Sequence, residues 1–115
     1  MRQLIFLVLA LIPLQTFAVE YRQARQQAIQ ARKPLVVLLG AEWCPACKEA
    51  WVPAQRIGRI GIYTYLDVDK SPEIARQVGT DTVPKVVIYY PIGEKWTVRT
   101  IVGLAEIVKH AAIVK

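Results

Sequence analysis

Cys44 and Cys47 are the only cysteines in the chain, separated by Pro45 and Ala46 in the stretch AEWCPACKEAW. As a structural staple the pair is badly placed, because the stabilisation gained by closing a loop grows with the number of residues enclosed. As a zinc site it lacks partners: structural zinc takes four protein ligands, and the chain adds only one histidine, His110, in a distant C-terminal segment. The third use of two closely spaced thiols is exchange chemistry, in which one thiolate attacks a disulfide and the second resolves the mixed disulfide so formed. An inert, incidental pair is the remaining alternative.

Exchange requires a thiolate. A helix opening at the cysteines would present unpaired N–H groups and a partial positive charge, both of which favour one. In such surroundings a thiol pKa falls from roughly 8.5 to about 3.5–7.5. Cys44, first in the motif and at the loop edge, is expected to be the exposed nucleophile. Cys47, one turn further in, is expected to be the shielded resolving thiol. Pro45 suits an early helical position, where no N–H is needed. Ala46 adds no charge or hydrogen bond, so helix geometry has to supply most of the shift.

The flanking pattern supplies a strand before the motif and a helix after it. Leu35 to Leu39 is an unbroken apolar run rich in β-branched residues, the mark of a strand covered on both faces. Upstream, Tyr21, Ala24, Ala28 and Ala31 recur at helical spacing up to Pro34, which ends that helix. A helix then starts at the cysteines and runs toward Arg56, with Pro53 expected to kink or shorten it. Ile62–Val68 predicts a second strand. In the next helix Ser71 is the N-cap candidate, Pro72 falls in the first turn and Gly79 closes it. Lys85–Tyr90 and Trp96–Val102 are two more strands around a Pro-Ile-Gly-Glu turn, which predicts an antiparallel hairpin. After Gly103, Leu104, Ile107, Val108, Ala111 and Ile113 form one apolar helical stripe. The order predicts an α/β layer fold, with helices on both faces of a small mixed sheet.

The compartment bears on whether a disulfide can persist. Residues 1–18 carry Arg2, an apolar run from Leu4 to Leu14, and Thr16-Phe17-Ala18 where a signal peptidase reads small residues. This is the layout of a secretory signal peptide cleaved after Ala18, leaving residues 19–115 as one domain. The uncharged run stands at the lower edge of the roughly 17–25 residues that span a bilayer, so a retained anchor is the alternative. Export, to a periplasmic or other extracytoplasmic space, would bring the thiols into oxidising surroundings. The 115-residue chain has a formal net charge of +6. No Lys/Arg run exceeds two residues and no basic–aromatic interleaving is present, which argues against nucleic-acid binding and for a solvated basic surface.

Three stretches together, AEWCPACK after a buried strand, LDVDKSPEIARQVG in the middle and TVPKVVIYY before a hairpin, resemble the thioredoxin superfamily from about Tyr21 to the end. The resemblance implies a thioredoxin-like three-layer fold with a small mixed four-stranded sheet. Its implied order is Ile62–Val68, Leu35–Leu39, Lys85–Tyr90, Trp96–Val102, with the last two strands antiparallel to the first two. It also implies that Pro84 is cis and lies beside the cysteines, that Val83 and Pro84 shape a groove for an extended partner segment, and that Trp43 next to the nucleophile both packs and contacts partners. Pro45 completes the partner-binding set, and Lys85 would bias the groove toward acidic or polar partners unless it is simply solvated. Trp51 and Trp96 are expected to pack, and His110 to face solvent near a helix C-terminus. The sequence departs from the family at two linked places. A buried acid and its lysine partner are replaced by Leu38 and Tyr65, with Glu42 expected at the surface rather than as a substitute. The family's first strand also has no counterpart, which leaves Ile62–Val68 as a possible exposed edge.

The expected function is therefore that of an exported protein thiol–disulfide oxidoreductase, with the reducing direction favoured over the oxidising one. It needs no cofactor or metal, acts as a monomer on exported cysteine-containing proteins, and exchanges electrons with a redox partner that could be membrane-bound. The rivals are a non-catalytic binding module on the same scaffold and a membrane-anchored assembly subunit.

Overall fold

The computed structural model describes residues 17–79 and 81–114. The leader expected over residues 1–18 thus lies, apart from its last two positions, outside the described residues. The chain begins with α1 (Phe17–Ala31), which buries Tyr21, Ala24 and Ala28 along one face. Pro34 is not what ends it. Arg32 adopts a left-handed conformation (φ 55°), and the N–H groups of Arg32 and Lys33 return to the carbonyls of Ile29 and Ala28. This is a Schellman closure with arginine in the place usually taken by glycine. The Arg32 guanidinium also reaches the carbonyl of Gly93 in the distant hairpin turn.

β1 (Leu35–Gly40) is buried at every residue, as its unbroken apolar run predicts. The helix expected from the cysteines to Arg56 is two pieces, α2 (Pro45–Glu49) and α3 (Trp51–Ile57), joined at Ala50. The break falls just after Glu49, the residue whose carbonyl the ring of Pro53 would meet four positions on. A 3₁₀ turn (Gly58–Ile60) leads to β2 (Ile62–Asp67), and α4 (Pro72–Val78) follows. Ser71 occupies the N-cap position of α4 without a side-chain cap bond; Gly79 closes the helix at φ 120°. β3 (Lys85–Ile92) and β4 (Lys95–Val102) form the hairpin, its turn shorter than the sequence suggests because Pro91 and Ile92 remain paired with Trp96 and Lys95. α5 (Leu104–Ala111) closes the chain.

The sheet order is β2-β1-β3-β4, as expected. β1 and β2 are parallel, whereas β3 is antiparallel to both β1 and β4. β4 therefore runs in the same direction as β1 and β2, correcting the expectation that both final strands oppose the first two; a hairpin necessarily reverses the chain once more. On one face α1 and α4 pack against Leu35, Val37, Leu39, Leu66 and Val87. On the other, α3 and α5 pack against Val36, Leu38, Val86, Ile88 and Ile101. Helices thus cover both faces of a four-stranded mixed sheet. β2 is an edge strand, as expected, with Thr64, Leu66 and Asp67 buried and Ile62, Tyr63 and Tyr65 half-buried. The apolar stripe of α5 is narrower than predicted: Ile107 and Ala111 are buried, but Val108 and Ile113 are exposed. Trp96 is half-buried and lines, with Tyr21, Leu35 and Tyr89, a cavity of about 280 Å³.

Candidate active site

The cysteines lie where the chain leaves the C-terminal end of β1 and enters α2. Cys44 is the N-cap of α2 in an extended conformation, Pro45 is its first helical residue, and Cys44 is disulfide-bonded to Cys47 with their Cα atoms 5.2 Å apart. The backbone N–H of Cys47 is shared between the sulfur and the carbonyl oxygen of Cys44, each at 3.1 Å. With α2 only five residues long, a long-helix dipole is not available. The stabilisation of a Cys44 thiolate falls instead on this shared N–H and the local dipoles of the first turn, to which Pro45 contributes no N–H.

The burial of the pair differs from expectation. Cys44 is 6% exposed and Cys47 1%, so the first cysteine is the more accessible without being open. Both lie in an apolar cluster with Ala41, against which Ala46, Val68 and Val83 pack. The structure thereby brings Val83 to the disulfide, although 39 positions (44 to 83) separate it from Cys44 in the chain. The Val83–Pro84 peptide bond is cis, and Pro84 is buried. Pro45 is exposed beside Cys44.

Trp43 is 68% exposed, and its indole N–H donates to Asp69 at 2.7 Å. Asp69 is held in turn by a tight turn after β2, in which the Asp67 carboxylate accepts from the backbone N–H groups of Asp69 and Lys70. Glu42 forms a surface ion pair with Lys70 at 2.6 Å, and that hydrogen-bonded ammonium lowers the pKa of Glu42. Lys85 is not solvated. Its side chain is 7% exposed and pairs at 2.5 Å with Asp81, tying together the two ends of the segment that carries Val83 and Pro84.

Two positions marked as departures occupy the sheet beneath α2. Leu38 is fully buried in the apolar layer between the sheet and α3–α5. Tyr65 is half-buried, its ring tilted against Trp51 with centroids 5.1 Å apart. A cleft of about 510 Å³ beside it is lined by Ala41, Glu42, Lys48, Trp51 and Asp67. Burial, followed by the nearby carboxylates of Asp67, Glu42 and Asp69, pushes the Tyr65 phenol up to about 12. His110 is half-exposed on α5, near the Glu106 carbonyl and the Arg99 guanidinium, and takes no part in the cysteine site. Among the described residues no group of three or more His, Cys, Asp and Glu is arranged to hold a metal ion.

Sequence reasoning overlooked Asp69 as the partner of Trp43, Asp81 as the partner of Lys85, and the space over Gly40 that Tyr65 and Cys47 both border. The Lys85–Asp81 spacing of four was visible, but it lies in a loop and strand start, where helical spacing rules give no contact. The other two pairings join residues of β2 and its loop to the motif across the sheet.

The parallel β1/β2 pair, the antiparallel β3/β4 hairpin, helices on both faces and a CxxC disulfide at a strand-to-helix junction define a thioredoxin-like α/β fold. The comparisons agree with that class. The chain is similar to thioredoxin from Plasmodium falciparum (TM-score 0.65, 19% identity, covering 78% of this chain and 77% of that one). It is also similar to the germline-specific thioredoxin Deadhead from Drosophila melanogaster (0.64, 19%, 90% and 95%) and to Schistosoma mansoni thioredoxin (0.62, 24%, 80% and 84%). At these identities the likeness establishes the fold. No protein-family model matches the chain, and no curated protein matches it significantly.

Proposed function

We propose that this protein is an exported thiol–disulfide oxidoreductase that works through reversible opening of the Cys44–Cys47 disulfide. The observation that carries the reading is the hydrogen bond from the Cys47 N–H to the Cys44 sulfur at the opening of α2. It is placed to stabilise a thiolate on the more accessible cysteine. In the reducing direction, the Cys44 thiolate attacks one sulfur of a partner disulfide and expels the other as a thiolate. Cys47 then attacks the Cys44 sulfur and releases the second partner sulfur, so the partner gains two electrons and the protein pair is oxidised. The partner segment would lie along Val83 and Pro84, with Trp43 and Pro45 at its flank.

Export is supported by the sequence layout of residues 1–18 alone. The reducing direction is favoured because solved structures similar to this fold include several thioredoxins. A reductase in an oxidising compartment must be recharged, so the reading includes an electron-donating redox partner, with exported cysteine-containing proteins as substrates. No helix among the described residues is long and apolar enough to cross a membrane.

Equilibration of the protein against a glutathione series, with the thiols counted by mass, tests the reading. A potential near about −270 mV supports the reducing direction, one near about −120 mV reverses it, and failure to exchange refutes catalysis in favour of a binding scaffold. The N-terminal residue of the mature protein, read by mass, tests cleavage after Ala18.

A further inference from the structure

Cys47 can attack only after losing its proton, and its surroundings oppose that loss. It is 1% exposed, and Ala41, Cys44, Ala46, Val68 and Val83 around it are apolar, so none of their side chains can take the proton. Leu38, in the sheet beneath the site, offers no polar atom.

Tyr65 does offer one. A Cβ placed on Gly40 would lie 3.2 Å from the Tyr65 hydroxyl, 3.0 Å from the Tyr65 ring edge and 3.2 Å from the Cys47 Cβ. The phenol and the Cys47 Cβ therefore border the same small space, which stays open because residue 40 has no side chain. The register makes the approach possible, since Gly40 pairs with Asp67 and Leu38 with Tyr65 on the parallel neighbour. Trp51 braces the ring. Away from Cys47, the phenol borders the cleft lined by Glu42, Lys48, Trp51 and Asp67. The charged groups around it are the carboxylates of Glu42, Asp67 and Asp69 and the ammonium of Lys48. The carboxylates outnumber the ammonium and disfavour a phenolate, so Tyr65 remains a hydroxyl, able to accept one proton while giving up another.

We propose that Tyr65 is the proton-transfer partner of Cys47 in the resolving step, an inference that rests on the exchange reading above. As the Cys47 sulfur attacks the Cys44 sulfur, the Cys47 proton passes to the Tyr65 oxygen. The original Tyr65 proton leaves into the cleft, to water or to the Asp67 carboxylate. The Cys44–partner S–S bond breaks with its electron pair on the partner sulfur, which departs as a thiolate. No further oxidant or reductant enters the step.

The test is the reaction of fully reduced protein with dithiobis(nitrobenzoate), followed by stopped-flow absorbance. The first thionitrobenzoate released reports attack by Cys44, and the second reports resolution by Cys47. Cys47→Ser should release the first alone. In Tyr65→Phe the first phase should stay within about twofold of wild type, and the second should slow about tenfold near neutral pH, a modest fraction of what acid–base catalysis supplies. The deficit should shrink as pH rises and Cys47 ionises without help. Tyr65→His, which restores a proton-transferring group, should recover part of the rate, an outcome that a purely structural tyrosine would not give. A second phase in Tyr65→Phe within about twofold of wild type at every pH overturns the proposal, as does a deficit with no dependence on pH. If Tyr65→Phe does not fold, the His variant alone decides: a second phase slowed without change in its pH profile overturns the proposal. Absence of the first phase in the wild-type protein defeats the exchange reading itself, and the inference with it.

Discussion

Gly40→Ala should be costly out of proportion to the single methyl it adds. The new carbon would lie 3.0 Å from the ring edge of Tyr65 and 3.2 Å from both its hydroxyl and the Cys47 Cβ, each closer than ordinary carbon contact at roughly 3.5–4.0 Å. Neither neighbour yields freely. Tyr65 is braced by Trp51, and Cys47 is fixed by α2 and by its disulfide. Backbone strain adds nothing, since residue 40 lies in an extended strand. The cost is then that of overpacking, which runs about 1–3 kcal/mol; with shifts of a few tenths of an ångström required, about 1–2 kcal/mol is expected. In a domain of this size that corresponds to a melting temperature lower by roughly 4–8 °C per kcal/mol. Urea unfolding of the oxidised protein would measure it as a lower midpoint with an unchanged slope. Because the displaced group is the phenol, release of the second thionitrobenzoate should slow as well. A variant as stable as wild type with the same second phase would refute the packing argument at this position.

Three further outcomes rest on the same packing. The Tyr63 hydroxyl is buried with no hydrogen-bond partner among the described residues, so Tyr63→Phe, which keeps the ring, should raise stability by about 1 kcal/mol in urea unfolding; a loss of stability would show that the hydroxyl is satisfied. Burial raises the phenol pKa of Tyr63, Tyr65 and Tyr89, the last two to about 12. Since the native state holds these protons more tightly than the unfolded chain, their stabilisation is complete below the unfolded value near 10 and is lost as pH rises through 10 toward 12. Tyrosinate absorbance should accordingly appear late and together with unfolding, and early ionisation without unfolding would contradict the burial. Asp69→Ala releases the indole of Trp43, which is otherwise exposed. The KM for a protein disulfide should rise about threefold to tenfold, consistent with about 1 kcal/mol from an exposed charged hydrogen bond, while the rate with a small disulfide stays near wild type. An equal loss with both substrates would place Trp43 in the chemistry rather than in partner contact.

The layers were legible in local sequence pattern, whereas the sheet order came from the resemblance to the thioredoxin superfamily. Leu35–Leu39 reads as a strand covered on both faces because its run is apolar and unbroken, which the structure extends to Gly40, and Pro45 suits the opening of a helix at the cysteines. Those signals are local, carried by periodicity and by residues with restricted backbones. Helix ends were less legible. Arg32 takes the left-handed position that composition would assign to glycine, and the break at Ala50 appears only when Pro53 is fitted against the turn before it. The reversal of β4 is fixed by the hairpin and its register.

What tertiary structure decided is how residues distant in sequence meet. Trp43 finds Asp69, and Val83 reaches the cysteines, because the sheet sets β1 between β2 and β3 and brings their ends to one side. Cys44 is less open than its place at a loop edge suggests, since Val68 and Val83 close over the pair. Tyr65 looks in sequence like a lost charge, yet the parallel register and the missing side chain of Gly40 leave its hydroxyl and Cys47 bordering one space. A sequence specifies the faces of its strands through local alternation. Which side chains touch across those faces depends on register, crossing and packing, and these are settled only when the whole core closes.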